Sequence, residues 1–385
     1  MSIAEAKRRI KEVQKSGETK LDLSGLCLRE LPEKESAQIA TQIIELNLGE
    51  NTIGYTGALL IAEKFTNLEI LRIGAKKYWN SNKIGTEGAI AIAQNLSKLH
   101  TLDISYNDIT YKGALVIANK LSRLHTLNIS HNPIQSDKAI DSTAALNGIM
   151  EQLWNLETLT IATSMQPYGD QYANAIAQHL VNLRILNINQ SSISENGAIA
   201  IAQNLVGLDE LDIGKNIIGD KAVIAIARNL TKLKKLNVAD SYLGIGEQAA
   251  FEIGRYLTKL QILDIGSNNK AIKGINEKGC VEIAMHLNNL HTLGVKGNNI
   301  GLKGAITISP YLASLHTLDI SDNSIGDEGI IAIARQLIKL HELNVASNSI
   351  GDNGAIAIRK YLRALHILNV SRNSITDNAV ISIAK

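Results

Sequence analysis

Apolar residues recur along this chain in one short, repeated phrase. LHTLDISDNSIGDEGIIAIARQLIK opens at Leu315, LHELNVASNSIGDNGAIAIRKYLRA opens at Leu340, and the next copy opens at Leu365, a constant step of 25 residues. In the same frame, copies open at Ile43, Leu68, Leu99, Leu124, Leu156, Leu183, Leu208, Leu233, Leu260 and Leu290, which makes thirteen over residues 43–385. Self-similarity at such a period marks a stack of like units. A weaker unit, KLDLSGLCLRELPE, precedes them with Leu21, Leu23 and Leu26 in phase.

Each copy joins two periods. Leu318, Ile320 and Ile325 point one way while Thr317 and Asp319 point the other, and a period of two over a short stretch predicts a strand. The second half, GAIAIAQNLSKL from Gly88, alternates on the surface of the text. Yet Ala89, Ile92, Ala93, Leu96 and Leu99 keep the i, i+3, i+4, i+7 spacing of a helix face. Asp327 and Asp352, just ahead of that half, are expected to accept the free N–H groups of their own helix's first turn. Neither a strand nor a helix can close a core alone, but stacked units can. Helices need about 10 Å each and strands about 4.8 Å, so the expected fold is an α/β horseshoe, with an inner parallel sheet and outer helices. Residues 43–385 are then one solenoid domain and 1–42 hold a capping helix and an atypical first repeat. Residues 2–15 read as that cap, with Ser2 and Glu5 as a capping box and Ile3, Ala6, Ile10 and Val13 as its apolar stripe. Lys7, Arg8, Arg9 and Lys11 lie among Glu5 and Glu12, which reads as a solvated face.

The phrase LxxLx(L/I/V)xxNx(I/L)GxxG(A/I)xx(I/L)A resembles the repeats of ribonuclease-inhibitor-type leucine-rich repeat proteins. AKRRIKEVQKSGETKLDLSGLCLRELPE resembles the opening unit of many bacterial leucine-rich repeat proteins, and the Ala-Ile-rich helices with IGDxGA loops are similar to Legionella-type effectors. The resemblance implies a binding scaffold, and its finer form a virulence effector delivered into a host cell by a specialised secretion system.

Composition narrows the remaining classes. With Lys+Arg 39 against Asp+Glu 37, a formal charge of +2 argues against dedicated nucleic-acid binding. Cys27 and Cys280 are too few for a disulfide framework, and no apolar run approaches the ~20 residues of a membrane span. The charged start MSIAEAKRRIKEVQ lacks the apolar core of a signal peptide, so a cytoplasmic, monomeric protein of free thiols is the expectation. The closing NAVISIAK has no polar capping unit, so either further chain or a partner is expected to cover that edge.

Three columns could carry chemistry. Asn51, Asn82, Asn107, Asn132, Asn216, Asn268, Asn298, Asn323, Asn348 and Asn373 share one position, read as a structural ladder that satisfies backbone groups at the bend after each strand. Ser164, Ser191 and Ser241 replace the Asn in three units, which should loosen those bends. His100, His125, His291, His316, His341 and His366 share another position, but a linear column does not converge on a metal. Asn47, Asp103, Asn128, Asn187, Asp212, Asn237, Asp264, Asp319, Asn344 and Asn369 are read as a solvated floor of the concave face. GxxxxGK followed by Ser or Thr, HExxH, paired CxxC and GxSxG are all missing from the sequence. No catalytic residue, cofactor or metal site is therefore expected.

Longer units supply the candidate binding site. GAKKYWNS is inserted after Ile73, extra residues lie between Gln135 and Gly148, and SMQPYGDQY and NNKAIKGINEKG lengthen two more loops. Insertions on one face of a repeat protein often make its binding face. Trp, Tyr and Arg are the types enriched in interface hot spots, so Arg72, Lys77, Tyr78, Trp79, Tyr106, His131 and Tyr168 are the expected partner-binding residues. Buried packing of Trp79 under its own loop is the competing expectation. The function expected is a non-enzymatic protein-interaction scaffold binding a protein partner, the finer form being an effector engaging a host protein. The alternatives are a GTPase-activating protein of the Ran-activator type, whose repeats are similar, and the recognition arm of a larger enzyme.

Overall fold

The computed structural model describes residues 2–134, 142–162, 169–267, 274–377, 379 and 381. The chain forms two compact units, Met1–Gln166 with Asn174–Ile188, and Pro167–Ala173 with Asn189–Lys385. In the first, β1 (Lys20–Asp22), β2 (Glu45–Asn47), β3 (Ile70–Arg72), β4 (Thr101–Asp103), β5 (Thr126–Asn128), β6 (Thr158–Thr160) and β7 (Ile185–Asn187) pair in chain order, every pair parallel. The second unit does the same with β8 (Glu210–Asp212), β9 (Lys235–Asn237), β10 (Ile262–Asp264), β11 (Thr292–Gly294), β12 (Thr317–Asp319), β13 (Glu342–Asn344) and β14 (Ile367–Asn369). Leu faces Leu at the centre of each of these pairs, from Leu21 opposite Leu46 to Leu343 opposite Leu368. A one-residue slip would turn that whole column out of the core, which fixes the register.

Helices follow the strands: α1 (Ser2–Ser16), α2 (Glu33–Ile39), α3 (Gly54–Lys64), α4 (Gly85–Asn95), α5 (Tyr111–Lys120), α6 (Ser142–Gln152), α7 (Gly169–His179), α8 (Glu195–Asn204), α9 (Asp220–Asn229), α10 (Glu247–Tyr256), α11 (Asn276–His286), α12 (Gly301–Ile308), α13 (Gly326–Gln336) and α14 (Asp352–Tyr361). The unit built on Leu99 shows how the pattern becomes a core. Leu99, Leu102, Ile104, Ile92, Ala93 and Leu96 are buried, while Thr101 and Asp103 stay half exposed. Ile90 remains half exposed on the helix flank, so the text's alternation hides a 3.6 period. Each helix also starts earlier than the second glycine suggests. Gly85 and Gly326 take φ of +67° and +63°, a conformation glycine adopts without a Cβ clash, and their N–H groups bond the carbonyls of Asn107 and Asn348 in the next unit.

The asparagine position ties successive bends together. Asn323 is buried, its Nδ2 donates to the carbonyls of Val295, Ile320 and Ser321 at 2.9–3.1 Å, and its Oδ1 accepts from the N–H groups of Asn298 and Ile300 at 3.0 and 3.1 Å. Asn51, Asn107, Asn132 and Asn348 repeat this pattern. The Ser191 and Ser241 hydroxyls donate to the carbonyls of Asn189 and Val238, while Ser164 and Asn268 lie outside the described residues.

Two capping expectations are corrected. Asp327 and Asp352 lie inside the first turns of α13 and α14, too late to cap them, and reach the following unit instead. Asp327 Oδ1 accepts from the N–H groups of Gly351 and Gly354 at 2.7 and 3.0 Å, and Asp352 Oδ1 from Thr376 at 2.8 Å. Asp170 and Asp220 do likewise toward Ser194 and Gly246. A carboxylate at one helix start thus meets the free N–H donors of the next. At the chain's start, α1 already includes Ser2, and Glu5 binds Arg8 and Arg9 across the helix surface; those bonds, Arg8's first, lower its pKa to about 2. Lys7 pairs with Glu35 and Arg8 also with Glu12, so the basic cluster is neutralised locally.

Candidate partner-binding surface

On the open face of the sheet, the Asn and Asp side chains do more than meet water. Asp103, Asp319, Asn237 and Asn344 each turn Oδ1 back onto the N–H two residues on, at 2.9–3.2 Å, and so fold the chain out of the strand. This corrects the solvated-floor reading: the short side chain is chosen for the turn. Asn344 Nδ2 adds a 2.9 Å bond to Asp319 Oδ2. Asp264 is the odd member. It is half-buried beside Gly294, which leaves room for its carboxylate, and burial raises its pKa, with Asp319, Asp240 and Asp212 adding to the rise.

The histidine position forms a column in the second unit, stacked from His291 to His341 and tilted by 47° between His341 and His366. His291, His316, His341 and His366 follow one another with ring centroids 5.5, 5.2 and 5.5 Å apart. In the first unit, His100 Nε2 stands 3.6 Å from Glu69. Among the described residues, no group of three or more His, Cys, Asp or Glu is arranged to hold a metal, and no helix is long and apolar enough to cross a membrane.

The first inserted loop stands out from the regular stack. It leaves the buried Gly74, makes a single 3-10 turn at Tyr78–Asn80 and returns at the buried Ser81 and Asn82. Between those anchors Trp79 is 69% exposed and Tyr78 53% exposed, so Trp79 does not tuck under its loop. Lys77 Nζ lies 5.3 Å above the Trp79 ring and Lys83 Nζ 5.7 Å above that of Tyr78. Such contacts hold the rings in place without covering them from solvent. Arg72 belongs elsewhere: it reaches across to Glu45, which also takes Lys20 at 3.0 Å. The hydrogen bond from Lys20, and after it that from Arg72, hold the Glu45 carboxyl below its ordinary range.

Tyr106 and His131 meet on the neighbouring bends, their rings stacked 4.2 Å apart with an 18° tilt. Both residues take φ near +55°, a left-handed conformation that costs a bulky side chain of order 1 kcal/mol or more. Other units put Gly297, Asp322 or Ser347 at this bend. Burial shifts both rings toward neutrality, raising the Tyr106 pKa and lowering that of His131. Tyr168 lies outside the described residues.

Sequence reasoning missed one patch. The strand-exit edge of the second unit carries Ile217 and Tyr242 at 44% and 64% exposure, where other units place Thr52, Asp108 or Ser324, and Leu243 of the lengthened bend at 52%. Tyr242 N–H bonds the carbonyl of Asn216, and Leu243 N–H that of Ile218, so these bends adjoin. The two-residue lengthening of the unit from Leu233 was the available signal.

This architecture, a parallel strand column backed by helices and laced by asparagine, is that of a leucine-rich repeat solenoid. The Leucine Rich repeat family model matches residues 43–62, 80–93, 95–118, 286–309, 311–334, 336–358 and 361–384, so those segments of the chain are similar to that family. No curated protein matches it. Among solved structures, a chain of the yeast Rad7–Elc1 complex aligns with a TM-score of 0.60 at 15% identity, covering 98% of this chain and 86% of that one. A leucine-rich repeat protein of Leptospira interrogans aligns with a TM-score of 0.51 at 20% identity, covering 99% and 90%. Likeness at such identity speaks for the fold alone.

Proposed function

We propose that this protein is a non-catalytic scaffold that binds another protein through the strand-exit edge of its early repeats. The exposure of Trp79, fixed beneath Lys77 on a loop with buried ends, carries this reading. An exposed tryptophan is rare and an ordered one already has its conformational cost reduced, which suits a hot spot. Tyr106 and His131 extend the surface, since the bend itself is served by smaller residues in other units. The leucine-rich repeats support a protein-interaction role in general. The finer reading, an effector delivered into a host cell, rests on the resemblance of the IGDxGA loops. Two free cysteines, Cys27 exposed and Cys280 buried, suit a reducing cytosol. The test is paired capture from host-cell lysate on immobilised wild type and Trp79→Ala. A protein retained by the first and lost by the second supports the site, and equal retention places the partner elsewhere.

A further inference from the structure

We propose that the groove between α2 and α3 is a second docking site, which takes an amphipathic helix of a partner protein bearing Lys or Arg along its flanks. In the regular stack each helix packs closely on its predecessor. A Cβ added at Gly88 of α4 would stand 3.0 Å from Ala58 of α3, and one at Gly279 of α11 2.9 Å from Ala250 of α10. The seven-residue α2 breaks this rule, because it packs on α1 and scarcely meets α3. The flank of α3 that would receive a preceding helix therefore borders an open groove of about 320 Å³, floored by Leu31, Leu59 and Leu60 and rimmed by Glu30, Glu33 and Glu63.

Two features say what would fill it. Leu60 occupies a position that is Ala91 in α4, Ala200 in α8, Ala332 in α13 and Ala357 in α14, so the floor is more apolar than the repeat requires. The rim is acidic and unneutralised. Glu30, Glu33 and Glu63 are exposed and form no ion pair with any of the described residues, although Arg29, Lys34 and Lys64 adjoin them in sequence. Acids nearby are paired: Glu35 with Lys7, Glu45 with Lys20 and Arg72. An apolar floor inside a ring of free carboxylates complements a helix with one apolar stripe and cationic flanks.

The probe is a fluorescein-labelled Ala/Leu/Lys helical peptide of about 18 residues, long enough to be helical on its own, beside a twin with Glu for each Lys. Fluorescence anisotropy with the full chain should show saturable binding of the Lys peptide and none of the twin. Glu30→Lys combined with Glu63→Lys should weaken that binding about tenfold or more, as two rim pairs together can. Circular dichroism melting would show that the surface variant is folded. Hydrogen exchange should slow at residues 54–64 on binding. Leu60→Ala, which restores the repeat's usual residue, should also weaken binding while keeping the fold, and Trp79→Ala should leave it unchanged. The proposal is overturned if the charge-reversed protein binds equally well, if both peptides bind alike, or if neither binds.

Discussion

Asn323→Ala should be among the most destabilising single changes in the second unit, and its cost can be worked from the bonds it breaks. Five backbone groups contact the Asn323 amide. Two of them keep a partner in the variant: the Ile320 carbonyl still accepts from Asn348 Nδ2, and the Ser321 carbonyl from the N–H of Gly297. The Asn298 N–H, the Ile300 N–H and the Val295 carbonyl lose the bond that Asn323 supplied, and these three residues are at most 1% exposed. A buried polar group left unpaired costs roughly 1–3 kcal/mol, so the low end of three such losses is about 3 kcal/mol. Exposed Glu328, in α13 of the same unit, should shift stability by no more than about 0.5 kcal/mol when changed to Ala. Urea midpoints at constant slope give the comparison, and amide exchange at residues 295–300 localises the loss. A cost below about 1 kcal/mol for Asn323→Ala, with circular dichroism unchanged, would refute the idea that the ladder carries this unit's bends.

Trp79→Ala should leave the urea midpoint within about 0.5 kcal/mol of wild type while costing a partner ~2 kcal/mol or more of binding, read by calorimetry once that partner is in hand. Asp264 has a raised pKa in the folded state, so its ionisation opposes folding: stability is full below the unfolded pKa and declines as pH rises through the folded one. Asp264→Asn keeps the acceptor for the Gly266 N–H, and should be more stable than wild type at pH 7, the difference vanishing in acid; a less stable variant at pH 7 would contradict this. Glu45 is the opposite case, with a lowered pKa and a contribution present above its unfolded pKa that is lost as pH falls through the folded one. Lys20→Ala and Arg72→Ala should each raise the Glu45 pKa, by carboxyl NMR titration, and an unmoved carboxyl in both would contradict this. Purified protein should hold no stoichiometric zinc by elemental analysis, because no group of three or more His, Cys, Asp or Glu among the described residues is arranged to hold a metal, and the proposed scaffold role further expects no hydrolysis of GTP or peptides.

What was legible in the sequence is what depends on one unit alone. Leu102 and Ile104 face inward because a strand alternates, and Ile92 and Leu96 follow because a helix has its own period. Even the asparagine's task could be read, since a sharp bend leaves backbone groups that only an amide can serve from both ends. Contacts between units were harder. Asp327 finds Gly351, 24 residues away, because stacking brings the start of α14 beside α13, and no local pattern encodes that distance. Asp103 and Asp319 looked like ligands for solvent because an exposed carboxylate and a turn-forming one are spelled alike.

The binding surface posed a different difficulty. Tyr106 and His131 could be placed side by side by counting units, since equivalent positions adjoin in a parallel stack. Whether Trp79 faces solvent could not be counted, because the insertion leaves the repeat's register and its path depends on where its ends are held. Here the regular scaffold supplies the answer. Gly74 and Ser81 are fixed in the stack at both ends, and the short span between them turns at Tyr78–Asn80 on the surface. Its large rings remain outside, above a core already filled by Leu71, Ile73 and Ile84. The same reasoning makes Ile217, Tyr242 and Leu243 informative. In a repeat whose bends elsewhere expose small polar residues, these three lie outside a core already closed by Ile218 and Ile245, so burial within the unit does not account for their apolar character.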